Sequence, residues 1–185
     1  MMLRRLFVGS LVLAAGIAAL GGSTSCASAP DNQRITIVVA PNYDIYKAQI
    51  DTFLNKRCGT LDCHGQQGRA LRLYGYRGFR LYNVDAGLIS GVQQTTESEI
   101  RANFDAIISL EPEEMSRVIA EAGENPDRLL FLRKAQNIER HKGGPSLASD
   151  DDGYKCITAW LRADPRGGTL SPAALASCEK AAKLP

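Results

Sequence analysis

The sequence predicts a mainly α chain with a minor β strand or hairpin, and three observations carry that prediction. Tyr46, Ile50, Phe53 and Leu54 recur at i, i+4, i+7 and i+8, which is one face of a helix. Thr96 followed by Glu99 spells a capping box ahead of Ile100, Phe104, Ile107 and Ile108, again on one face. Pro112, Pro126 and Pro172 stand where a first helical turn accepts proline, while Gly123 and the Gly143-Gly144 pair stand where helices stop.

Taken in order, Ile35 to Val39 is β-branched and reads as a short strand. A helix begins at Tyr43 and runs directly into Cys58-Gly59-Thr60-Leu61-Asp62-Cys63-His64-Gly65. The glycine-rich stretch from Gly65 to Gly91 reads as loop with a small hairpin using Leu71, Leu73, Leu81 and Val84. After the capped helix, Met115, Val118, Ile119 and Ala122 form the apolar face of the next one. A short helix carries Leu129, Leu130 and Leu132. Asp150 to Asp152 lead into a helix with Cys156, Ile157, Trp160 and Leu161, and the last helix holds Leu175 and Cys178.

The chain opens Met1-Met2-Leu3-Arg4-Arg5, followed by an apolar run from Leu6 to Leu20. That run is shorter than the roughly 20 residues of a permanent span and fits a secretory signal. Residues 1–25 are therefore assigned to a signal peptide, 26–42 to a tether with a short strand, and 43–185 to a single domain. Two processing routes stay open. Cys26 resembles the lipidated first residue of a bacterial lipoprotein, although Ser23 stands where Leu is usual; Ala27-Ser28-Ala29 offers ordinary cleavage, although Pro30 would follow the cut. Either route places the chain in the cell envelope, periplasmic and, with lipid on Cys26, anchored to a membrane. Without Arg4 and Arg5 the 22 basic residues become 20, against 20 acidic ones. A net charge of zero gives no reason to expect nucleic acid as a partner.

With five Cys and two His in the chain, their positions decide the chemistry. Covalent haem attachment needs two thiols for the two vinyl groups and an imidazole beside one of them for the iron. Cys58, Cys63 and His64 meet that need with four residues between the cysteines instead of two. The longer spacer leaves Cys63 and His64 adjacent and loops out only the path to Cys58. The competing readings are a Cys58–Cys63 disulfide, as an oxidising compartment permits, and a zinc site, for which a second paired-ligand cluster is lacking.

The helix ending in Cys58-x4-Cys63-His64-Gly65, with His141-Lys142-Gly143-Gly144 and Tyr154-Lys155-Cys156-Ile157-Thr158-Ala159-Trp160-Leu161 downstream, resembles the exported and lipoprotein c-type cytochromes of bacteria that have a stretched haem motif. The resemblance spans Tyr43 to Leu161, and the middle of that span matches no pattern. It implies a cytochrome c-like domain holding one haem c through Cys58 and Cys63, with an N-terminal helix crossing a C-terminal one through Phe53 and Trp160. It implies an electron carrier and not an enzyme, working with redox protein partners. The alternatives are a haem-free, disulfide-stabilised lipoprotein acting as a structural or binding module, and a haem sensor or enzyme with an open sixth position.

Beyond the signal segment the chain has one other His, His141, and one Met, Met115, and both residue types bind iron opposite a histidine in cytochromes. Met115 has apolar helical neighbours that explain it without iron. His141 has none, and Gly143 and Gly144 would let its backbone approach a flat ligand. His64 with His141 is therefore the expected pair, and Met115 the alternative. Cys156 and Cys178 are left to form a disulfide between the last two helices. Arg69, Arg72, Arg77 and Arg80 read as partners for haem carboxylates or for an acidic docking partner, or else as a solvated loop face.

Overall fold

The computed structural model describes residues 37–82, 87 and 90–183. The signal segment, Cys26, the first part of the expected strand and Val84 lie outside them. The described residues belong to one compact unit, and the chain is mainly α. A continuous helical run comprises α1 (Tyr43–Ile45), a π-helical segment (Tyr46–Ile50) and α2 (Asp51–Arg57). It is followed by α3 (Glu97–Leu110), α4 (Pro112–Ala120), a 3-10 turn (Pro126–Arg128), α5 (Leu130–Ala135), α6 (Asp152–Arg162) and α7 (Pro172–Lys183).

The starts of α1, α3 and α6 follow from side-chain chemistry at their orphan amides. Asn42 accepts from Ile45 N at 3.0 Å, Thr96 and Glu99 form the reciprocal capping box, and Asp151 accepts from Tyr154 N at 3.0 Å. Tyr46, Ile50, Phe53 and Leu54 are all buried, as one helical face requires. The core centres on Trp160, whose ring lies 5.4 Å from that of Tyr46 and 6.4 Å from that of Phe104. Its indole N–H donates to Asn42 O at 2.8 Å, so this buried polar atom is satisfied. Asn42 is itself buried, which makes residues 40–42 part of the packed unit and not of the tether. A Cβ on Gly153 would collide with the Phe53 ring, so α6 has a glycine where it meets α2. The Cys156 and Cys178 sulfurs are bonded to each other and join α6 to α7.

The β expectations are corrected. Residues 37–39 form no strand; Ile37 is 79% exposed, and Val39 N donates to Ser116 Oγ at 2.8 Å instead of to a neighbouring strand. β-branching favours a strand only where a ladder partner exists, and none stands here among the described residues. The expected hairpin is likewise absent among the described residues, where Tyr74 and Phe79 form an isolated bridge. The backbone groups that would have paired are taken by α3 side chains. Asn103 accepts from Tyr74 N at 2.7 Å and donates to Tyr74 O at 2.8 Å, and Glu99 accepts from Leu81 N at 3.0 Å. Arg80 grips both oxygens of the fully buried Glu99, at 2.8 and 2.7 Å, and donates to the carbonyls of Ser90, Gln93 and Gln94. Burial works to raise the Glu99 carboxyl, but Arg80 and the backbone amides outweigh it and hold it below the usual range.

Candidate functional site

Helix α2 ends at Cys58, whose amide bonds back to Leu54 O at 2.8 Å. The chain then reverses so that His64 N donates to Cys58 O at 2.9 Å. Gly65 N and Cys63 N both donate to Thr60 O at 2.9 Å, closing the extra residues into a compact loop. Thr60, Leu61 and Asp62 are exposed, so the long spacer projects outward while Cys58, Cys63 and His64 stay together. Gly65 is required here, because a Cβ would overlap the Gly59 carbonyl. Both thiols are unbridged. Burial pushes the Cys58 thiol up to about 12, with Cys63 beside it acting in the same direction. A neutral thiol is a poor nucleophile for disulfide exchange.

Cys58, Cys63, His64 and His141 border one cavity of about 300 Å3, small-molecule size. Its wall is mostly hydrocarbon and includes Leu54, Leu71, Leu73, Ile107, Phe131 and Ile157. Phe53 and Trp160, expected at this site, are in the core behind it; Leu54 and Ile157 are the residues of α2 and α6 that line the cavity. Met115 is buried on α4 and does not line it. Leu71 and Leu73 belong to the cavity wall, where the sequence suggested a hairpin.

The imidazoles of His64 and His141 are nearly parallel, with ring centres 5.9 Å apart and 5° between planes. Each ring is anchored through Nδ1. His64 Nδ1 lies 2.9 Å from Leu71 O, and His141 Nδ1 lies 2.7 Å from Gly144 O. A carbonyl oxygen only accepts, so both Nδ1 atoms carry the proton, and both Nε2 atoms are left with a free lone pair. That is the tautomer a metal-binding histidine requires. Burial, followed by the nearby His141 and Arg69 charges, draws the His64 imidazole below its ordinary pKa and outweighs the raising effect of the Leu71 bond. With metal–imidazole bonds of about 2 Å each, rings at this spacing would both reach one ion if their Nε2 atoms turn toward it.

Among the described residues no group of three or more His, Cys, Asp or Glu converges to hold a metal ion. The two thiols and two imidazoles border the cavity without three of them converging on one point, and the rest of the wall is mostly hydrocarbon. A flat macrocycle that brings its own four nitrogens needs only the two imidazoles as further ligands, and this cavity offers them.

Three cationic side chains border the cavity. Arg57 is paired with Asp151 at 2.9 Å and Lys134 with Glu139 at 2.7 Å. Arg69 donates to Cys63 O at 3.1 Å and to Asp62 O at 3.5 Å, and no carboxylate pairs with it among the described residues. Of the other loop arginines, Arg72 lies over the Tyr74 ring and Arg77 over the Tyr76 ring. Arg57 and Lys134 were not singled out from the sequence, and no local signal marks them. No helix among the described residues is long and apolar enough to cross a membrane. No family model, curated protein or solved structure matches the chain.

Proposed function

We propose that the chain is an exported c-type cytochrome with a cytochrome c-like helical domain that binds one haem and transfers electrons, anchored to a bacterial membrane through Cys26. The observation that carries this reading is the pair His64 and His141. They are parallel, each tautomer is set by a backbone carbonyl, and they share an apolar cavity with two unbridged thiols. Cys58 and Cys63 would each add S–H across a vinyl group, forming one C–S and one C–H bond with nothing expelled. His64 and His141 would hold the iron from opposite sides. Bound haem supplies a one-electron Fe(III)/Fe(II) couple. The hydrocarbon wall excludes water, and the choice of two imidazoles favours a lower potential than a Met ligand would. Arg69 is free to take a carboxylate of the ligand.

The test is export in a strain with haem-attachment machinery, followed by denaturation, acid-acetone extraction and a pyridine haemochrome spectrum. Haem that stays on the polypeptide is the expected result. A colourless protein with Cys58 bridged to Cys63 would replace this reading with that of a haem-free envelope protein. Labelled fatty acid should enter the wild type and not Cys26→Ser; an unlipidated N-terminus at Pro30 would establish ordinary signal cleavage.

A further inference from the structure

We propose that His141 is a releasable ligand: the 140–145 segment swings away from the cavity and opens the position opposite His64 to a small uncharged diatomic molecule. This rests on the haem reading above and adds ligand binding to electron transfer. The argument starts with what holds the segment. Among the described residues, 140–145 make no hydrogen bond beyond residues 134–147. His141 N bonds to Asn137 Oδ1 at 3.3 Å, Gly144 N to His141 O at 3.0 Å, and Lys134 Nζ to Arg140 O at 3.2 Å. None of the six residues is buried, so displacement exposes no apolar core.

The loop is also built to move without disturbing its base. Ser146 N and Leu147 N both donate to Ala135 O, at 2.7 and 3.0 Å, and tie the two ends together. Asn137 (φ 59°) and Gly144 (φ 76°) occupy left-handed backbone conformations on either side of His141. These are the residue types that enter and leave that region most readily, and they can serve as the two hinges. Release would break the bond to the metal and few hydrogen bonds to the rest of the chain, since among the described residues those that leave the segment run to Asn137 and Lys134. Hydrocarbon from Leu130, Phe131 and Leu147 lines the cavity that the departing ring would leave. The bordering cations Arg57 and Lys134 are already paired with Asp151 and Glu139, so what remains suits a neutral diatomic.

The experiment mixes reduced holoprotein with carbon monoxide in a stopped-flow spectrometer. In the wild type the binding rate should rise and then level off with carbon monoxide concentration, the plateau being loop release. In His141→Ala the plateau should vanish, with binding on the order of ten- to a thousandfold tighter, since the open form is a minor state in the wild type. Gly144→Ala strains the left-handed residue, loosens the turn that holds Nδ1 and should raise the plateau. A wild type whose spectrum ignores saturating carbon monoxide while His141→Ala binds it would overturn the proposal. So would a wild type that binds as fast as His141→Ala with no plateau. Failure of the haem reading shows separately, as a missing pyridine haemochrome.

Discussion

His64 is tied to separate stretches of chain, whereas every hydrogen bond at His141 stays within residues 137–144. The backbone of His64 bonds to Cys58 and to Leu73, its ring bonds to Leu71, and each of these partners borders the same cavity. Beneath it, Gly65 is pressed against the Gly59 carbonyl. The His141 ring is held by its own turn, and Gly143 beside it has only the His141 ring within reach of a Cβ. The two imidazoles are thus equivalent in tautomer and unequal in support. Under the haem reading proposed above, a ligand set in a cross-braced loop would stay where attachment needs it, and one on a self-contained turn would be exchanged at low cost.

The largest expected effect separates the two histidines outright. His64→Ala should abolish covalent holoprotein, whereas His141→Ala should keep the haem and only open the sixth position, as measured by haem per polypeptide. Equal loss in both variants would dissolve the distinction. Next, the Cys156→Ser/Cys178→Ser double variant should lower stability by about 3 kcal/mol, because the bridge closes a 22-residue separation. Its iron spectrum should not change, since neither cysteine borders the cavity. A spectral shift would show that the α6–α7 pair also positions a ligand.

The glycines give a sharper contrast. Gly65→Ala should cost about 2 kcal/mol by overpacking, and Gly143→Ala about 0.5 kcal/mol or less. Denaturant titration of both variants would show it, and similar costs would mean that the two loops are equally braced. Met115→Leu preserves the apolar volume and should cost less than about 1.5 kcal/mol. It should leave the iron spectrum as it is; a change there with none in His141→Ala would transfer the ligand role to Met115.

The smallest effect concerns Asp51, in the helix that leads to Cys58. Burial raises its carboxyl above the usual range despite hydrogen bonds from Asn103, Tyr46 and Asn55. The folded state therefore holds this proton more tightly than the unfolded chain. The associated stability is fully present below the unfolded value of about 3.9. It is lost as pH rises through the elevated folded value. Asp51→Asn should flatten stability against pH across that window.

Much of the fold was legible in the sequence because helices are specified locally. The face of Tyr46, Ile50, Phe53 and Leu54, the Thr96–Glu99 capping box and Pro112 at the head of α4 each act within a few residues of chain. The β elements were misread because strands depend on partners distant in sequence. Ile37 to Val39 had the propensity and found no ladder, and the Leu71–Leu81 backbone was claimed by Asn103 and Glu99. The arginine-rich loop illustrates the same limit. Four arginines that look equivalent in sequence include Arg80, sequestered by Glu99, and Arg69, left at the cavity without a carboxylate.

By itself the sequence determined the adjacency of Cys63 and His64, the helix that delivers Cys58 to them, and the short list of residues able to face His64. These are matters of residue type and close spacing. Only the tertiary structure decided that His141 and not Met115 shares a cavity with His64, 77 positions away in the chain. It alone brought Leu71 O and Gly144 O against the two Nδ1 atoms, and it alone chose Leu54 and Ile157 over Phe53 and Trp160 as cavity wall. Those outcomes depend on how α2, α5 and α6 are arranged around one cavity. Residue spacing sets which face of a helix is apolar, but what that face meets is set by elements far away in the chain.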